Sequence, residues 1–106
     1  DTFFSDALKE VGGNTISVIK FASAQQELSQ MSQEEIKARL PEWRKNYDNT
    51  PVENAQLKKS RGTHLALAYF YVGQRKNAKQ VLKELAKYYS PNKKTKKRML
   101  RAIKAL

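Results

Sequence analysis

Apolar positions recur at helical spacing along almost the whole chain. Thr2 to Val11 (TFFSDALKEV) is a short candidate helix, closed by Gly12 and Gly13, whose permissive backbone suits a helix exit. Asn14 or Thr15 is placed to cap a second helix, in which Val18, Phe21, Ala22 and Leu28 mark an apolar stripe that fades near Met31. Ser32-Gln33-Glu34-Glu35 is a capping box: the serine oxygen accepts an early backbone N–H while Glu35 reaches back. Ile36, Leu40, Trp43 and Tyr47 then fall at i, i+4, i+7 and i+11 on one core-facing stripe. Pro41 lies inside that pattern. It lacks an N–H and crowds the preceding turn, and because the stripe continues past it a kink is expected rather than a restart. Asp48 to Pro51 reads as a turn, and Thr50-Pro51-Val52-Glu53 as a second capping box with proline at the first helical position.

The next helix crosses Gly62 and enters eight consecutive apolar residues, Leu65 to Val72. Periodicity cannot separate a buried strand from a buried helix in so short a run. At eight residues it falls far below the roughly 20 needed to span a bilayer. The segment beyond Gly73 decides between strand and helix. Ala78, Val81, Leu82, Leu85 and Tyr89 form one helical stripe, and Lys76, Lys79, Lys83 and Lys87 another. Two helices joined by a short glycine-containing connection make an antiparallel hairpin. After Pro91 the tail NKKTKKRMLRAIKAL sets Met99, Leu100, Ile103 and Leu106 against Lys94, Lys97, Arg98, Arg101 and Lys104. Such a helix caps a stack by burying its apolar stripe and presenting a polar outer face. The expected fold is an all-α bundle of about five helices in a single domain over residues 1–106, with a basic C-terminal capping helix.

Charge sharpens this picture. Residues 1–56 carry 6 Lys/Arg against 9 Asp/Glu, a balance of −3, whereas 57–106 carry 15 against 1, a balance of +14. Glu84 alone offsets the fifteen cations, so the C-terminal half is expected to face an anionic partner. An acidic protein is the leading choice, with nucleic acid or an anionic lipid surface as alternatives. At 106 residues without cysteine, the chain is long enough to bury a core unaided by disulfides or thiolate metal sites. The start at Asp1 suggests a processed product.

Leu65, Ala66, Tyr69, Gly73 and Ala78, with Pro91 one place late, resemble one tetratricopeptide repeat over about residues 62–91. In that register small Ala66 and Ala78 let two helices approach, Tyr69 fills the gap beside them, and Gly73 permits the turn. Gly62, Leu82 and Leu85 depart from the repeat pattern. More broadly, LSQMSQEEIKARLPEWRKNY, a proline turn and the helix ending in LALAYF are similar in arrangement to small helical lipoproteins of the Gram-negative envelope. That resemblance implies a non-enzymatic module facing the periplasm and docking on another envelope protein; a cytoplasmic location is the alternative.

Candidate chemistry is sparse. His64 is the single histidine, so no histidine pair exists to hold a metal, and its place beside an apolar run fits a half-buried helix residue better than a general base. Glu34 and Glu35 point about 100° apart on a helix, and Glu35 has the capping role. No nucleophile elbow, phosphate-binding glycine loop or Cys/His constellation is present, which argues against an enzyme and against a cofactor. Tyr71, Tyr88 and Tyr89 suit packing, or alternatively a peptide-binding groove. The tail has no aromatic among its cations to stack on bases, although sequence-independent phosphate contacts need none. The candidate partner-binding surface is therefore Lys76, Lys79, Lys83 and Lys87 with Lys94, Lys97, Arg98, Arg101 and Lys104.

Overall fold

The computed structural model describes residues 18–105, with side chains from Ser23 onward. The candidate helix Thr2–Val11, the glycine pair after it, the cap at Asn14 or Thr15, and Leu106 lie outside the described residues. Five helices succeed one another: α1 Val18–Ser29, α2 Gln33–Asn49, α3 Ala55–Tyr71, α4 Arg75–Tyr89 and α5 Lys93–Lys104. Among the described residues there is no strand, and the chain is an all-α bundle.

Local chemistry accounts for most boundaries. Ser32 Oγ accepts from the Glu35 N–H at 3.1 Å and Glu35 Oε1 from the Ser32 N–H at 3.3 Å, so the capping box opens α2. That helix runs unbroken through Pro41, whose missing N–H deprives the Lys37 carbonyl of its usual donor. At the start of α5, Asn92 Oδ1 accepts from the Thr95 N–H at 2.8 Å. The expected capping box at Thr50 does not form. Thr50 instead ends α2: its hydroxyl donates to the Asn46 carbonyl at 2.7 Å and accepts from Arg61 Nη1 at 2.7 Å. With its hydroxyl engaged by Asn46 and by the Arg61 side chain, Thr50 does not cap the next helix. A turn closed by Asn54 N–H to Pro51 O at 3.0 Å intervenes, and α3 begins at Ala55.

The apolar run Leu65 to Val72 is helix almost to its end, not strand. It stops in a left-handed turn: Gly73 has φ +80°, its N–H bonds the Phe70 carbonyl, and the Gln74 N–H bonds the Tyr69 carbonyl. This pair of bonds is the Schellman pattern, which needs a residue that tolerates positive φ. Leu65, Ala66, Tyr69, Ala78, Val81, Leu82 and Leu85 are all buried, so α3 and α4 pack along their length.

Gly62 sits where three helices meet. A Cβ there would lie 2.8 Å from Leu85 Cδ1 on α4 and 2.8 Å from Tyr47 Cε1 on α2. Because Gly62 is opposite Leu85, with the turn at Gly73 between them, α3 and α4 run antiparallel. Helix α2 is antiparallel to α3 as well, since Tyr47 meets the first half of α3 and Gln33 Nε2 reaches the Tyr71 carbonyl at its far end. Leu28 of α1 is fully buried in the same core.

The two glycines make separable predictions. At Gly73 nothing lies within 4 Å of the added methyl, so Gly73→Ala carries only the left-handed backbone cost, about 1 kcal/mol of unfolding free energy. At Gly62 alanine gains about 1 kcal/mol of helix propensity, but overpacking costs about 1–3 kcal/mol. Tyr47 and Leu85 are 1% and 0% exposed and have nowhere to retreat, so Gly62→Ala is destabilising on balance. Urea denaturation of both variants checks this. Shortening the neighbour, as Leu85→Val in the Gly62→Ala background, should recover part of the Gly62 loss and none of the Gly73 loss.

Candidate interaction surface

Helix α4 buries Ala78, Val81, Leu82, Leu85 and Ala86, and α5 buries Met99 and Ile103. Those stripes turn the opposite faces outward. Lys76, Lys83 and Lys87 on α4 are exposed and Lys79 is half-buried; Lys94, Lys97, Arg98, Arg101 and Lys104 on α5 are all exposed. Each helix therefore presents its predicted cations on one outward side. Met99 and Ile103 are already committed to the bundle, so in this fold α5 has no free apolar stripe to place in a lipid surface. Among the described residues no helix is long and apolar enough to cross a membrane.

Two features leave this surface uncompensated. The first turns of α4 and α5 hold Arg75, Lys76, Lys93 and Lys94 and no acid, which sets positive side chains at the positive ends of the helix dipoles. Each such placement costs a few tenths of a kcal/mol at a solvated surface, about 0.3–1. The second feature is the position of Glu84. Its Oε1 accepts the Tyr47 hydroxyl at 3.0 Å, so the acid nearest the lysines is drawn inward to α2. Ion pairs among the described residues include Arg39–Glu42 and Arg44–Asp48, both within α2. Apart from Arg98, which has an interaction of its own, the predicted cations of α4 and α5 make no ion pair among the described residues.

Behind the surface lies a polar arrangement that sequence reasoning missed. Lys58 is 6% exposed; its Nζ donates to the Tyr47 carbonyl at 2.6 Å and lies 3.8 Å from the centre of the Tyr47 ring. A cation thus meets the carbonyl end of α2, which has no basic residue in its own last turn, and the face of an aromatic ring. Burial, followed by the charge and hydrogen bond of Glu84, raises the Tyr47 hydroxyl far above its ordinary range, so it remains a donor. The signal was present: Lys58, Gly62, Leu65 and Tyr69 stand at i, i+4, i+7 and i+11, which puts the lysine on the buried stripe.

The aromatics divide. Tyr88 is exposed, and Tyr89 donates its hydroxyl to the Val52 carbonyl at 2.8 Å with Lys59 Nζ 5.0 Å from its ring centre. Tyr71 ends α3 at the Gly73 turn, and the hairpin geometry sends Tyr88 and Tyr89 to the other end of α4, about 20 Å along the helix. The tyrosine groove therefore does not form. A different depression exists between α2 and the α3–α4 turn, an open cleft of about 400 Å³ with Leu40 and Tyr69 beneath, Lys37 and Arg44 on α2, and Gln74 and Asn77 at the start of α4.

His64 is half-buried and meets Trp43 edge-on at 4.7 Å. Glu34 and Glu35 are exposed. Among the described residues no group of three or more histidine or carboxylate side chains is placed to hold a metal. Comparison with known protein families, curated proteins and solved structures finds no match.

Burial lowers the His64 pKa below its ordinary 6.5, against an opposing pull from Glu27. The folded state then binds fewer protons than the unfolded one, so stability is greatest above pH 6.5 and falls as pH drops through 6.5 toward the folded value. Denaturant midpoints measured on either side of this window should diverge in the wild type and converge in His64→Gln, whose side chain does not titrate.

Proposed function

We propose that this chain is a non-catalytic protein-interaction module, an adaptor or envelope accessory protein, whose α4–α5 surface docks an acidic partner. The observation that carries the reading is the uncompensated charge. Nine predicted cations lie on α4 and α5, the first turns of both helices are basic, and Glu84 is turned away to Tyr47. A sequence that holds positive charges against helix dipoles, and leaves Lys76, Lys83, Lys87, Lys94 and Lys97 without an ion pair among the described residues, breaks local rules where function is expected. An acidic surface would satisfy both conflicts at once. We further propose that the α3–α4 hairpin is a tetratricopeptide-like unit. In support, Leu65, Ala66, Tyr69 and Ala78 are buried at repeat-like positions, and Gly73 makes the left-handed turn.

Nucleic acid is the rival class of partner, because the same cations would serve phosphates. The test is fluorescence anisotropy with a labelled glutamate-rich peptide and, separately, random-sequence duplex DNA, over about 0.05–0.2 M salt. Docking of an acidic protein predicts peptide binding that weakens about tenfold or more when Lys94, Lys97 and Arg101 become Glu, with the thermal midpoint little changed. Tight DNA binding that falls log-linearly with salt, together with no affinity for the peptide, would sink the adaptor reading.

A further inference from the structure

Besides the outward lysines, the cleft between α2 and the α3–α4 turn is a depression with a consistent chemical character. Lys37 and Arg44 stand seven residues apart on one face of α2, with Leu40 between them. Lys37 is exposed and makes no ion pair among the described residues. Arg44 contacts Asp48 through Nε at 3.1 Å, and the Tyr69 hydroxyl adjoins it. Asp48 does not line the cleft, nor does any other carboxylate. Leu40 and Tyr69 are buried residues whose remaining accessible surface forms an apolar floor. Across from them, Asn77 Nδ2 donates to Gln74 Oε1 at 2.8 Å, which leaves the Gln74 amide as a donor and the Asn77 oxygen as an acceptor.

The cleft thus offers the ammonium of Lys37, a guanidinium at Arg44 that Asp48 already offsets in part, a small apolar floor and an amide pair, within a volume of about 400 Å³ that suits one or two side chains. It opens beside the start of α4: Asn77 lines it, and Lys76 begins the outward lysine stripe one residue earlier. We propose that this cleft receives an acidic side chain of the protein partner together with the apolar side chain next to it. Anchored there, an acidic segment continues along Lys76, Lys83 and Lys87. This inference rests on the docking reading above and adds to it a fixed point, since charge on an open helix face sets no register whereas a cleft with a floor does.

Two labelled peptides of equal charge and about a dozen residues serve as probes, one of Glu and Ala alone and one with a central Ala changed to Leu. Three single variants separate the cleft from bulk charge. Lys37→Glu and Asn77→Asp each put a carboxylate into the cleft, the second at a first-turn helix position that favours an acid. Lys45→Glu makes the same charge change as Lys37→Glu at an exposed α2 position outside the cleft. The Leu peptide should bind the wild-type chain about threefold or more tighter than the Ala peptide. Lys37→Glu and Asn77→Asp should each weaken it about tenfold, and Lys45→Glu about twofold at most. Equal losses from Lys45→Glu and Lys37→Glu, or no loss from either cleft variant, overturn the proposal. If Lys83→Glu with Lys87→Glu abolishes binding while the cleft variants leave it intact, the cleft assignment falls and the docking reading stands. If neither peptide binds at about 0.05 M salt, both fall. Duplex DNA that binds as tightly and is equally sensitive to the cleft variants overturns the choice of a peptide.

Discussion

The close approach at Gly62 is the constraint on which the rest of the bundle depends. Three helices converge on a point where even one methyl group would sit 2.8 Å from both Tyr47 and Leu85. Only a residue without a side chain lets α3 lie deep enough for α2 and α4 to touch it together. The hairpin connection at Gly73 then matters for a different reason: it fixes the direction of return, so that Leu85 arrives opposite Gly62. One glycine sets a distance and the other a direction, and the core between them contains Leu65, Ala66, Leu82 and Leu85.

A core built so closely has little room for error in its polar groups, and those it contains are satisfied. Lys58 enters the interior at the carbonyl end of α2, where the dipole and the Tyr47 ring offset part of its desolvation. Tyr47 passes the connection on, its carbonyl taking Lys58 and its hydroxyl reaching Glu84. One residue thereby ties the end of α2 to α3 and α4. Among the described residues no buried side-chain nitrogen or oxygen lacks a partner. The outer faces of α4 and α5 are the contrast: polar groups inside are matched, whereas Lys76, Lys83, Lys87, Lys94 and Lys97 outside make no ion pair among the described residues.

Much of this architecture was legible because it is carried by short-range signals. The Ser32 capping box, the stripe Ile36-Leu40-Tyr47, the turn glycine at position 73 and the stripe from Ala78 to Leu85 each lie within a few helical turns. The misreadings had a common cause. Thr50 satisfies the local pattern of a helix start, yet its hydroxyl donates to the Asn46 carbonyl and accepts from Arg61, which reaches it only after the chain has folded back. Lys58 drew no reading at all, because a lysine is seldom buried and its place on the stripe went unused. Tyr71, Tyr88 and Tyr89 share a chemistry but not an end of the hairpin, a distinction that needs the helix direction. The cleft beside Pro41 collects residues from three helices far apart in sequence and leaves no contiguous trace.

Helix α5 has a consequence of another kind. Two fully or nearly buried side chains, Met99 and Ile103, hold it to α4, while α4 itself is fastened by five. The free energy needed to lift α5 away is correspondingly the smaller, and its own lysines repel those of the helix it rests on. Neutralising that repulsion from outside would tighten α5 against the bundle without any new contact within the chain. Were an anion to bind the basic face, it would steady α5, and a steadier α5 would bind that anion better by the same free energy.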